Sequence, residues 1–188
     1  MGKLLIKNAT VITEGNRLEE DVLIEGEVIS SVSKNIQIDS DTEVIDADGL
    51  ILIPGMIDDQ VHFREPGLTH KGNISSESKA AIAGGVTSYI EMPNTSPNTT
   101  TIEEFNKKIS IASIDSYCNF SFMFGGTNDN LDEIKKIDPT EVAGIKLFLG
   151  SSTGKMLIDN LNSIETIFSS TSLPVSYTHL TLPTICSV

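Results

Sequence analysis

The stretch DDQVHFREPG, residues 58–67, holds polar side chains whose types and spacing suit hydrolytic chemistry. Along an extended strand residues i and i+2 face one side, so Gln60, His62 and Arg64 share a face. A neutral imidazole binds zinc through a ring nitrogen. A guanidinium two residues further on can clamp a carboxylate with its planar fork. A lone strand histidine is more often a hydrogen-bonded structural residue, but Arg64 and the Pro66-Gly67 turn beside His62 favour function. Gln60 stands where a second imidazole would complete a ligand pair, and its amide oxygen is the weaker zinc donor.

A second candidate lies inside the apolar stretch Gly144-Ile-Lys-Leu-Phe-Leu149. Burial disfavours an ammonium and lowers the pKa of Lys146. The neutral amine can then take up carbon dioxide, giving a carbamate with two oxygens for two cations. A lysine head that snorkels to a polar rim explains the same placement. Four other features read more plainly. His70, in the polar loop Leu68-Thr-His-Lys71, is a rim residue. Asp58 and Asp59 either orient neighbouring ligands or are solvated. Gly150-Ser-Ser-Thr-Gly154 lacks the Gly-Lys-Ser/Thr ending of a phosphate cradle and reads as a rim loop. The run from Gly125 to Asn130 reads as a turn that can line a pocket.

These residues need a frame. Residues 1–54 alternate short apolar runs with Gly, Asn and Asp, which predicts a small antiparallel β-rich domain. Pro54-Gly55 then breaks the chain. From Met56 the pattern becomes strand–helix: strands over 56–62, 86–92, 117–122 and 142–149, and helices over 75–83, 103–113, 131–136 and 161–169. Such alternation predicts βα units on a parallel sheet. Polar motifs at the C-terminal ends of several strands favour a (β/α)8 barrel over an open doubly wound sheet. Residues 55–174 supply about four units, so the fold class expected is an incomplete (β/α)8 barrel of TIM type.

Composition narrows the function classes. The 188 residues carry 26 acidic and 13 basic side chains, a net charge of −13. That balance argues against nucleic acid or an anionic membrane as partner, since both need a basic patch. The start, Met1-Gly-Lys-Leu-Leu-Ile-Lys7, has too short an apolar run for a signal peptide or membrane span. Two cysteines without a paired motif point to a reducing cytoplasm.

The motifs GMIDDQVHFREPG, EMPNTSPNTT and AGIKLFLGSSTG, in this order, resemble dihydroorotases of the amidohydrolase superfamily, and the class I branch most. The resemblance covers residues 1 to about 174, and the Met-Pro-Asn-Thr run from Met92 resembles dihydroorotases better than allantoinases or hydantoinases. It implies a zinc enzyme that interconverts N-carbamoyl-L-aspartate and L-dihydroorotate in pyrimidine synthesis. His62 matches the second histidine of the family's metal pair, and Gln60 stands at the first. Arg64 and Asn94 match the residues that hold the substrate carboxylate. Lys146 lies where related enzymes carry a carboxylated lysine bridging two zinc ions, although other class I members place an aspartate in that site. The implied metal set here is thus His62, Lys146 and Gln60, with one or two zinc ions. The implied partner is a small-molecule substrate, with a homo-oligomer left open.

The resemblance places the general base and two further histidine ligands in later strands, so the chain as it stands is expected to be inactive. Substitution of Gln60 keeps a rival reading open, a metal-free homologue acting as a scaffold. The run VSYTHLTLPTICSV, residues 175–188, breaks the βα pattern. Its first ten residues back-translate to GTCTCTTATACACATCTGACGCTGCCGACG, which resembles a sequencing-library transposon end and adapter. Residues 175–188 are therefore expected to be an adapter scar. The alternative is a genuine fifth strand carrying His179.

Overall fold

A computed structural model describes residues 2–150 and 156–178. Contacts divide the chain into two compact units, Met1–Gly55 and Met56–Val188.

The first unit is a five-stranded sheet of β1 (Lys3–Thr13), β2 (Asn16–Glu25), β3 (Val28–Ser33), β4 (Glu43–Asp46) and β5 (Ile51–Leu52). The runs Leu4–Ile6 and Thr10–Ile12 belong to one long strand, β1, whose register with β2 shifts between Ile6 and Ala9. Asn8, in between, has a φ of 60°, a value that asparagine tolerates better than most residues. The sheet corrects the antiparallel expectation. β1–β2 and β2–β3 are antiparallel, but β4 and β5 both run parallel to β1. The pattern of short apolar runs marks strands without marking direction. Here the chain returns through residues 34–42 and enters β4 from the same end as β1. The core on this sheet is small: Ala9, Val11, Val22 and Ala47.

The second unit is a five-stranded sheet in the order β10-β9-β8-β7-β6, and every pairing is parallel. Its strands are β6 (Met56–Val61), β7 (Val86–Glu91), β8 (Asn119–Gly125), β9 (Gly144–Phe148) and β10 (Val175–Thr178). The helices α1 (Ile74–Ala83), α2 (Ile102–Asp115), α3 (Leu131–Ile134) and α4 (Leu161–Ser170) fall between them. Strand and helix alternate through four units, the half-barrel that the periodicity predicts.

Local chemistry sets the helix ends. Asn73 Oδ1 accepts the Ser76 amide at 2.8 Å to start α1, which stops at Gly84 before Gly85 takes a φ of +87°. Thr101 Oγ1 caps the Glu104 amide at 3.2 Å, with Glu103 and Glu104 in the positive first turn of α2. Two elements depart from the sequence expectation. The third strand begins at Asn119, later than residue 117, because Ser116 and Cys118 are engaged in a turn in which Ser116 Oγ donates to the Cys118 carbonyl at 2.8 Å. The third helix is a single turn, because Asn130 makes no side-chain cap and Lys135 already closes the element. Val175–Thr178, within the segment set aside in the sequence, pairs with β9 from Ile145 to Phe148. His179 and Gly154 lie outside the described residues.

Phe63, Phe105, Phe122, Phe124, Ile145 and Leu147 anchor the core beneath the sheet. Each such side chain contributes about 1.5–3 kcal/mol by leaving water. All five residues of β9 are buried, as expected for a strand covered on both faces. No described helix is long and apolar enough to cross a membrane.

Candidate active site

The site residues come from the C-terminal ends of the parallel strands, where a (β/α) barrel carries its chemistry. Gln60 is on β6; His62 and Arg64 follow its end. Asn94 lies three residues beyond β7, and Lys146 is the central residue of β9.

Two pairings bring these residues together. His62 Nδ1 donates to Asn94 Oδ1 at 2.8 Å. That hydrogen bond fixes the ring and leaves its lone pair on Nε2, the arrangement a metal-binding or proton-accepting imidazole needs. Partial burial lowers the His62 pKa, and the cations Arg64, Lys146 and Lys108 push the same way, against the bond to Asn94. The neutral ring is therefore favoured. In the second pairing Lys146 Nζ donates to Gln60 Oε1 at 3.3 Å and to Ser176 Oγ at 3.2 Å. Lys146 is only 3% exposed, and its burial lowers its pKa.

The Gln60–Lys146 contact also reports curvature. β6 and β9 are separated by β7 and β8. In a flat sheet three strand spacings amount to ~14 Å. Side chains that meet at 3.3 Å must point inward from a curled sheet.

The turn after β6 is tightly held. Arg64 has a φ of 73°, its amide donates to Glu91 Oε1 at 3.0 Å, and its carbonyl accepts the Leu68 amide at 3.0 Å. At Gly67, with a φ of +82°, a Cβ would lie 1.7 Å from the Ser96 carbonyl oxygen, so only glycine lets the two loops meet. The Ser96 amide donates to the Pro66 carbonyl at 3.1 Å across that junction. The Arg64 guanidinium makes no ion pair among the described residues, which leaves its fork for an anion from outside.

Other residues singled out in the sequence have smaller roles. Asp58 Oδ1 accepts the Gln60 amide at 3.1 Å and so shapes the strand locally, while Asp59 and His70 are exposed. Asn130 Oδ1 caps the Thr127 amide at 2.8 Å, and its Nδ2 holds the Thr100 and Gly125 carbonyls. The sequence reading missed Glu91 and Lys108. Their signals are visible in hindsight: a carboxylate ending an apolar strand, and a lysine on the stripe Phe105, Lys108, Ala112 of α2.

His62 offers one imidazole, whereas the Lys146 amine is turned to Gln60 and Ser176. Among the described residues no three His, Cys, Asp or Glu side chains stand close enough to hold a metal ion. These residues do not by themselves fit one.

A curled parallel half-barrel with its polar residues at the strand ends defines an enzyme-type (β/α) barrel. Comparison with known proteins narrows this further. The sequence model of the family described as Dihydro-orotase-like matches residues 49–119. The dihydroorotase of Methanosarcina acetivorans is 34% identical over 160 residues, 85% of this chain and 34% of the relative. The allantoinase of Salmonella choleraesuis is 35% identical over 158 residues, 84% of this chain and 34% of the relative. Among solved structures, the L-hydantoinase (dihydropyrimidinase) from Arthrobacter aurescens superposes with a TM-score of 0.83 at 29% identity, over 89% of this chain and 38% of that one. The chain is a dihydroorotase-like member of the amidohydrolase superfamily. It spans about a third of the length of the curated relatives it matches. These relatives are named as hydrolases of cyclic amides.

Proposed function

We propose that the protein is a dihydroorotase, interconverting N-carbamoyl-L-aspartate and L-dihydroorotate in the cytoplasm, with zinc as its metal. The observation that carries this reading is the Arg64 guanidinium, which makes no ion pair among the described residues, two residues from the His62–Asn94 pair at 2.8 Å. Both ligands of the reaction bear a carboxylate, which a guanidinium binds through two parallel hydrogen bonds. Asn94 Oδ1 accepts a hydrogen bond from His62 Nδ1, so the Asn94 Nδ2 donors are left for the same carboxylate. His62 keeps Nε2 unprotonated, because Nδ1 carries the proton donated to Asn94. A metal held here with donors from outside the described residues would supply an activated water and polarise the amide carbonyl. Zinc needs donors beyond His62 and Lys146, and the described residues supply no third imidazole or carboxylate set.

One observation favours a second reading, a metal-free homologue with a scaffolding role. Lys146 donates to Gln60, so two residues of the implied metal set are bonded to each other. The test is to assay the full-length protein, loaded with zinc, in both directions of the ring reaction, with allantoin and a 5-substituted hydantoin as competing substrates. Turnover confined to dihydroorotate and carbamoyl-aspartate supports the proposal. Preference for allantoin or the hydantoin reassigns the substrate, and no turnover with no bound metal supports the scaffold. The 188-residue chain, assayed alongside, is expected to be inactive.

A further inference from the structure

We infer that buried Glu91, held in place by Lys108, is a positioning residue for Arg64: by accepting its backbone amide it sets where the guanidinium meets a substrate carboxylate. The inference rests on the reading of Arg64 as the carboxylate-binding residue. Glu91 and Lys108 are each 0% exposed, and Lys108 Nζ lies 3.0 Å from Glu91 Oε2. The other carboxylate oxygen, Oε1, accepts the Arg64 amide at 3.0 Å. Lys108 Nζ also donates to the Met92 carbonyl at 3.0 Å and stands 5.0 Å from the centre of the Phe122 ring. One pair of charges thus ties the turn after β6 to β7, α2 and β8.

The energetics argue for a purpose beyond cohesion. An ion pair taken fully out of water gains little over a well-packed apolar pair of similar volume, and is often less stable. What an apolar pair lacks is an acceptor for the Arg64 amide. Arg64 needs one, because its φ of 73° is a conformation that non-glycine residues adopt at a cost. Burial raises the Glu91 pKa, opposed by Lys108 and by the Arg64 and Phe63 amides. Those partners hold the carboxylate as an acceptor at the end of the strand. Register places Glu91 beside Val61, the last residue of β6, so the carboxylate sits where the chain turns into Arg64.

Two paired variants of the full-length protein separate positioning from packing. Glu91→Gln with Lys108→Met removes both charges but keeps a carbonyl acceptor for the Arg64 amide. Glu91→Leu with Lys108→Met removes the acceptor as well. Binding of N-carbamoyl-L-aspartate is measured by calorimetry, independently of turnover, and KM and kcat are measured where turnover exists. The expected result is near-normal binding in the Gln/Met protein. In the Leu/Met protein, Kd and KM rise roughly tenfold with a much smaller change in kcat, and no further rise follows when Arg64→Ala is added. Glu91→Asp, which keeps the charge but shortens the reach, is expected to weaken binding like Leu/Met and serves if Leu/Met fails to fold. Equal binding by the wild-type, Leu/Met and Asp proteins overturns the inference even if the enzyme is a dihydroorotase. Arg64-dependent binding without turnover overturns the proposed reaction and leaves the positioning role standing. A wild-type protein that does not bind the carbamoyl-aspartate overturns both.

Discussion

His62 Nδ1 and Asn94 Oδ1 stand 2.8 Å apart, joining the end of β6 to the loop after β7. The pair sets the orientation of the imidazole, and the Arg64 guanidinium, two residues on, makes no ion pair among the described residues. Substitution of Arg64 therefore tests the anion site without touching the ring. Arg64→Lys keeps the charge and loses the fork. KM for the carboxylate substrate is expected to rise roughly tenfold to a hundredfold, the range of a charged hydrogen bond, with bound metal unchanged. Unaltered kinetics would remove Arg64 from the site.

Gln60 offers the converse experiment. Gln60→His puts a stronger zinc donor two residues before His62, and it breaks the 3.3 Å contact that holds Lys146. Retention of zinc against a chelator is expected to improve roughly tenfold in the full-length protein. Equal or poorer retention would mean that no metal lies beside position 60.

Gly67 is where the loops after β6 and β7 touch. A methyl group there would sit 1.7 Å from the Ser96 carbonyl oxygen, on a backbone with a φ of +82°. The conformation alone costs a side chain about 1–2 kcal/mol, and relief of the clash adds to it. Gly67→Ala is expected to lower the unfolding free energy by more than that amount in a denaturant titration. A change within error would show that the loops separate without loss.

Tyr89 carries a pH signature. Burial raises its phenol pKa from 10.0 to about 12, partly offset by the bond to Ser116. The folded state thus holds the proton to higher pH than the unfolded state. Its contribution is fully present below about pH 10 and is lost as pH rises from about 10 to about 12, an effect of about 2–3 kcal/mol. Tyr89→Phe lacks this term, so its stability should fall less steeply than wild type over that window. Parallel curves for the two proteins would place the phenol pKa near its ordinary value.

Much of this architecture was legible in the sequence, for physical reasons. Apolar runs of strand length followed by helical stripes announce a parallel sheet, but the strand alternation expected to carry Gln60, His62 and Arg64 on one face stops at Val61, and Arg64 takes a φ of 73°. Asn94 was reached only through the resemblance of the Met-Pro-Asn-Thr run, because no periodicity reports that its amide meets a histidine 32 positions away. Strand direction in the first unit was not legible, since apolar alternation is the same whichever way a partner runs. Nor was the Glu91–Lys108 pair, because a pattern of residue types reads a buried charge as an exception and cannot name what neutralises it.

The bond between Gln60 and Lys146 also dictates an order of events during folding. Its partners are 86 residues apart. Closing a bare loop of that length costs ~4 kcal/mol in chain entropy, whereas one hydrogen bond returns only about 0.5–1.5 kcal/mol. The contact cannot nucleate the half-barrel. It forms only after β6, β7, β8 and β9 have zipped in sequence and curled, so it belongs to the last steps of assembly. Weakening it should hasten unfolding while leaving the folding rate nearly untouched.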